Sequence, residues 1–209
     1  MKKITNMTIA ICISLTILII YNISSFSYQC DEIRNNIIRL HILANSDSTE
    51  DQDVKLKVRD AILEKGYDIF DGSVNIDNAT ECITPVLDEI KETADKILRI
   101  NKMNYSADVS LVYEYFDTRT YDNNVTLPAG KYIALKIVLG EGKGQNWWCV
   151  MFPSLCLPAA EKRDINMYVD VFNNNQTDII SNKNKYEIRF KIIELIELIK
   201  SKGDIASFR

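Results

Sequence analysis

Glycine and proline are scarce in this 209-residue chain, at 7 and 4 residues, which excludes a disordered, collagen-like or low-complexity protein. Histidine occurs once, as His41, so imidazole acid–base chemistry would rest on that residue alone. The five cysteines include no CxxC pair, which excludes a zinc ribbon and a disulfide-dense scaffold. Positive charge is not in excess: 25 Lys and Arg stand against 29 Asp and Glu, a net charge of −4. A nucleic acid would therefore meet general repulsion, and no nucleic-acid partner is expected. GxSxG and HExxH sequences are both missing, and with them the common serine-hydrolase and zinc-peptidase signatures. What is present is a chain 46% hydrophobic and 26% charged. At about 150 residues per domain this is one domain with an appendage.

The appendage is residues 1–30. Lys2 and Lys3 are followed by no charge until Asp31, and Ile9 to Ile20 reads IAICISLTILII. A run of that length fits the apolar core of a secretory signal, whereas a membrane span needs about 20 residues. Ser25 and Ser27 form a small-x-small pattern that suits cleavage after Ser27. The competing reading is an uncleaved anchor from Ile4 to Ile23, which would supply membrane contact. Both readings leave the two lysines on the cytoplasmic side and place 31–209 outside as a single extracytoplasmic domain. Disulfides persist there. Cys149 and Cys156 flank Pro153, and a bend would bring them within bridging distance; two buried free thiols are the alternative.

Along that domain, Ile38, Leu40 and Ile42 alternate with Arg39 and His41, a strand pattern over 37–43. The cap-rich stretch ANSDSTEDQD then opens a helix to about Lys65, with Gly66 as its stop. Val86, Leu87, Ile90, Ala94, Ile97 and Leu98 share one face of a second helix, started by Thr84 and Pro85. Ala107 to Tyr115 and Ile133 to Leu139 alternate with period two. Trp147–Phe152 and Met167–Phe172 read as further strands, and Asn173–Asn175 as a turn. The segment from Tyr186 to Lys200 opens strand-like and becomes helical. The fold class is α+β: a mainly antiparallel sheet with two helices after the first strand and a C-terminal helix.

Tested for chemistry, the chain offers little. His41 and Cys149 are the general base and nucleophile that an extracytoplasmic thiol hydrolase would need, but nothing in the sequence makes them neighbours. Asp47, Asp51 and Asp53 resemble part of a calcium loop, yet Gln52 and Val58 stand where its glycine and glutamate belong, and helix capping accounts for them. GEGKG at 140–144 lacks the spacing of the dinucleotide and P-loop motifs and reads as a turn. No catalytic residue, metal or cofactor is expected. The adjacent Trp147 and Trp148 must point to opposite faces of a strand. They open a segment, NWWCVMFPSLCLP, with the composition of a docking surface.

RLHILANSDSTEDQDVKLKVRD (Arg39 to Asp60) and FDTRTYDNNVTLPAGKYIALKIVLGEGKGQNWWCVMFPSLC (Phe116 to Cys156) resemble the two signatures of the stage II sporulation protein R family of endospore-forming bacteria. The resemblance implies a non-enzymatic signalling protein, exported from the forespore into the septal intermembrane space. Its implied partner is a membrane-embedded aspartic peptidase that processes pro-sigma-E. The partner-binding candidates are Trp147, Trp148, Phe152 and Pro153, with His41, Asn45 and Asp47 as polar contacts.

Overall fold

The computed structural model describes residues 2–70, 73, 75–121, 124–153 and 171–207. In chain order it contains α1 (Lys2–Asn35), β1 (Ile38–Leu43), α2 (Thr49–Phe70), α3 (Ile76–Ile83), a 3-10 turn (Thr84–Val86) and α4 (Leu87–Ile100). These are followed by β2 (Ala107–Phe116), β3 (Arg119–Thr120), β4 (Thr126–Leu127), β5 (Gly130–Leu139), β6 (Asn146–Phe152), α5 (Asn174–Ser181) and α6 (Lys183–Ser207). The α+β class matches the sequence expectation. The segment expected as a strand at Met167–Phe172 lies largely outside the described residues.

The chain divides into two compact units. The unit formed by 35–116 and 131–177 is built on a four-stranded sheet of order β2-β5-β1-β6. β1 pairs parallel with β5, placing Leu40 beside Leu135, and antiparallel with β6, placing Leu40 beside Cys149 and His41 beside Trp148. The parallel pair is possible because α2, α3 and α4 supply the long crossover that parallel strands require. Alternation sends Ile38, Leu40 and Ile42 to one face and Arg39 and His41 to the other. Val54, Val58 and Ile62 of α2 and Ile90, Ala94 and Leu98 of α4 are all buried, the helical faces that the spacing predicts.

Four local expectations are corrected. Gly66 does not end α2, which continues to Phe70; a Cβ there would stand 2.9 Å from Met151 Cε, so its small size serves close packing. Thr84 does not cap α4, because its hydroxyl donates to the Thr80 carbonyl at 2.8 Å and joins α3 to the 3-10 turn. The Asn173 turn is a helix start: Asn173 and Gln176 exchange backbone and side-chain hydrogen bonds of 2.9 and 3.0 Å in a capping box. Tyr186 to Lys200 is helical throughout, since α6 starts at Lys183.

The other unit comprises 1–34, 117–130 and 178–209. Its α1 is long and apolar enough to cross a membrane, by length and composition. The large apolar side chains from Ile4 to Tyr21 are exposed, whereas Phe26, Cys30 and Ile33 are buried. Phe26 stacks on Tyr186 at 5.5 Å and meets Phe190 edge-on at 5.6 Å. Arg34 donates to the Ala129 carbonyl at 2.7 Å and pairs with Asp31. α1 thus runs unbroken through Ser27, and cleavage after that residue would separate Phe26 from both rings.

Because Gly66 meets only the flexible end of Met151, Gly66→Ala is expected to be close to neutral, with a helix-propensity gain of up to about 1 kcal/mol offsetting the crowding. A left-handed helix stop would instead lose about that amount. Urea denaturation of the two proteins distinguishes these outcomes.

Candidate functional site

The loop after β1 and the turn between β5 and β6 fold onto one another, bringing the two sequence signatures together. The Asn45 side-chain oxygen accepts from the Glu141 N–H at 2.9 Å, and Asp47 Oδ1 accepts from the Gln145 N–H at 2.8 Å. Backbone N–H groups of Lys143 and Gly144 donate to the carbonyls of Asn45 and Ala44 at 3.1 and 2.9 Å. Gly144 is fixed by this approach, because a Cβ would lie 2.1 Å from the Ser46 carbonyl oxygen. Gly140 combines φ +57° with a Cβ position 2.3 Å from Asn45 Oδ1, so any side chain is disfavoured by conformation and by space. Gly140 and Gly144 are therefore explained by loop-on-loop packing, and Gly142 by its φ of +61° close against Val138.

Beneath the loops lies Asp51, a buried carboxylate in the first turn of α2. It accepts from Asn45 Nδ2 at 2.9 Å, from Ser46 Oγ at 2.5 Å and from the Tyr105 hydroxyl. Its own N–H donates to Ser48 Oγ at 3.2 Å, closing the helix N-terminus. Burial works to raise the Asp51 pKa, but the donors from Ser46, Tyr105, Asn45 and Ser48 outweigh it and hold the carboxyl below its usual range. Tyr105 shifts the opposite way, raised by burial and by the carboxylate it serves. Lys55 donates to the Gln145 carbonyl at 3.0 Å, and burial lowers its pKa.

The second cluster occupies the face of the sheet that carries Arg39 and His41. His41 Nδ1 lies 2.6 Å from Glu114 Oε2 and its Nε2 lies 2.8 Å from Asn146 Oδ1. Lys136 donates to the other Glu114 oxygen at 2.8 Å. Burial pushes the Glu114 pKa up, yet the hydrogen bonds from Lys136 and His41 hold it below the usual carboxylate range. The Trp148 ring lies 5.7 Å from the imidazole. The fully buried Arg39 guanidinium lies 4.1 Å from the Phe116 ring centre and 4.9 Å from that of Tyr132, a cation–π arrangement deep in the layer.

The seven predicted contact residues fall into three groups. Trp147 and Trp148 are each half-buried on opposite faces, Trp147 under the Arg59 guanidinium at 5.2 Å. His41, Phe152 and Pro153 are buried. Phe152 packs on Phe70 at 5.9 Å and shapes the strand end from within. Asn45 and the exposed Asp47 spend their side-chain oxygens on the 141–145 turn. Cys149 is buried and disulfide-bonded; its expected partner, Cys156, lies outside the described residues. Cys149 sits beside Leu40 and His41 beside Trp148, so the bonded Cys149 sulfur and the imidazole project to opposite faces and form no nucleophile–base pair. This corrects the thiol-hydrolase alternative, since its two residues cannot meet across a sheet. Among the described residues no group of three or more His, Cys, Asp or Glu is placed to hold a metal ion.

Glu114, Lys136 and Asn146 were not singled out from the sequence. Their common signal is parity: each is a polar residue on the side of its strand that faces His41, which becomes readable only once strand order is known.

A sequence profile described as Stage II sporulation protein R matches residues 34–162. The Stage II sporulation protein R of Bacillus subtilis (strain 168) is 42% identical over 124 residues, covering 59% of this chain and 55% of that protein. The aligned region thus spans about half the length of the relative. No solved structure matches the chain.

Two outcomes follow from this geometry. Gly144→Ala is expected to cost about 1–3 kcal/mol in urea denaturation, because the backbone of Ser46 must move. Asp51 and Glu114 are both held below their ordinary values, so their stabilisation is complete above the ordinary carboxylate range near pH 4 and is lost as pH falls through the lower folded values. The double variant Asp51→Asn/Glu114→Gln is expected to be less stable at neutral pH and to show a flatter loss of stability between about pH 5 and 2.

Proposed function

This chain belongs to the stage II sporulation protein R family, and from that premise we propose that it is a signalling ligand. In this reading it is exported from the forespore, is held at the septal membrane by α1, and activates a membrane-embedded aspartic peptidase that converts pro-sigma-E to sigma-E. The catalytic carboxylates then belong to the receptor, and this chain supplies binding energy.

The observation that carries the reading is the convergence of the two family signatures on one end of the sheet. His41, Trp148 and Asn146 are locked together there, and the loops behind them are fixed by Asn45, Asp47 and Asp51. A half-buried tryptophan on a rigid support suits recognition, because little conformational freedom is lost on binding. His41 has both ring nitrogens engaged, which suits a support for Trp148 better than a general base. Retention of α1 is supported by the burial of Phe26 against Tyr186 and Phe190. Activation requires tighter binding to the active arrangement of the peptidase, and a nearly complete switch requires about 5.5 kcal/mol of such preference.

The test is co-expression of this chain with the peptidase and pro-sigma-E in a non-sporulating host. Processing is expected only when the chain is present. Trp148→Ala is expected to reduce processing at least about tenfold, the effect of losing a hot-spot aromatic, in a protein that stays folded by circular dichroism and loses only about 1–2 kcal/mol with the half-buried ring. Normal processing without the chain would overturn the reading; normal processing by Trp148→Ala would move the contact elsewhere.

A further inference from the structure

Within the unit that contains α1, two contacts establish how α6 lies. Phe26 meets Tyr186 and Phe190, and further along both helices Arg34 approaches Glu197 at 3.7 Å. The helices therefore run side by side in the same direction, with Phe26 level with about residue 188. At 1.5 Å per residue, Lys183 lies about 7.5 Å nearer the N-terminal end of α1, level with Tyr21 to Ile23. That is where the apolar run ends. A span ending there puts Phe26, and the first turns of α6 beside it, into the headgroup layer, which is about 5–7 Å deep on each side of a bilayer.

Helical side chains lean toward the N-terminus, so those over 183–191, about 12 Å of helix, reach back toward that layer. Lys183, Lys185, Arg189 and Lys191 stand against a single acid, Glu187, over 183–191. Arg189 lies 5.6 Å from the Phe26 ring centre, and Lys185 is held by Asp178 at 2.5 Å. Ile188, between them, is an apolar side chain 77% exposed. Beside it opens a cleft of about 320 Å³ lined by Arg119 and Thr120 on the β3 side and by Lys183 and Lys191 on α6. Glu187 and Glu194 also line it, the latter 3.6 Å from Lys191, leaving three cations against two carboxylates.

We propose that the first turns of α6, with Arg119, form a docking surface for anionic phospholipid headgroups of the bilayer that α1 enters. The proposal rests on the reading of α1 as a retained anchor. Ile188, level with Phe26, meets the headgroup layer while the flanking basic side chains meet lipid phosphates. Docking orients the unit on the membrane, which α1 alone does not do.

The full chain, with α1, is reconstituted into phosphatidylcholine vesicles with or without phosphatidylglycerol. Carbonate extraction reads anchoring by α1, and acylation by a water-soluble lysine reagent, followed by mass spectrometry, reads docking. Phosphatidylglycerol is expected to slow acylation of Lys183 about fivefold, the effect of one basic residue at an anionic surface, and to leave Lys200, about 25 Å further along α6, unaffected. High salt should remove the difference. Ile188→Glu, a change at an exposed position, should abolish it without loss of fold. Carbonate-resistant protein whose Lys183 reacts equally in both vesicles would overturn docking and leave the anchor standing. Release of the chain by carbonate would overturn both.

Discussion

The arrangement of the sheet-containing unit depends on the buried carboxylate of Asp51. It accepts hydrogen bonds from Asn45 and Ser46 in the loop after β1 and from Tyr105 at the entry to β2. Asn45, oriented by that bond, then uses its oxygen to hold the turn between β5 and β6. Three segments distant in sequence are thus tied to one acid, the last of them through Asn45. A buried carboxylate is tolerated only when its lone pairs are filled, and here the donors are numerous enough to keep it charged despite burial. Removing the carboxylate would strand those donors, and the cost of unpaired buried groups exceeds the gain from the bonds themselves.

This explains why the acidic stretch and the glycine-rich turn look functional in sequence. Asp47 and Asp51 have the composition of a cation loop, and Gly140, Gly142 and Gly144 that of an anion loop. In space each satisfies the other: carboxylate and amide oxygens of the first meet backbone N–H groups of the second. Their shared chemistry is internal, and the Gly144 approach to Ser46 leaves no room between them for a ligand.

The strands and helices were legible wherever burial follows a local period. Alternation placed β1, β2 and β5, and helical spacing identified the buried faces of α2 and α4. Misreadings arose where a residue type has two uses. Gly66 resembles a helix stop but makes room for Met151, and Asn173 resembles a loop residue but caps α5. Strand order was not legible, because whether β1 lies beside β5 is decided by a crossover of three helices. The candidate site shared that fate: Trp148 and His41 could be named from sequence, but Glu114, Lys136 and Asn146 join them only through strand order. The same order places Cys149 on the other face, which separates a base from a thiol that composition alone would have paired.

Anchoring bears directly on how strong the proposed receptor contact must be. A soluble ligand would need an interface of about 1,600 Å² to bind specifically, whereas the proposed recognition surface centres on a half-buried Trp148 over a buried His41. In that reading, confinement of ligand and receptor to the facing membranes of one septum would raise the effective concentration of each for the other, toward the millimolar range familiar from short tethers. An interface with millimolar intrinsic affinity, about 4 kcal/mol, then becomes substantially occupied. Such an interface would also be easily reversed, and would confine the proposed signalling to the septum at which the ligand is held. Loss of α1 would therefore weaken signalling even with Trp148 and its support intact, because the contact would have to form from solution at an affinity suited only to a tethered encounter.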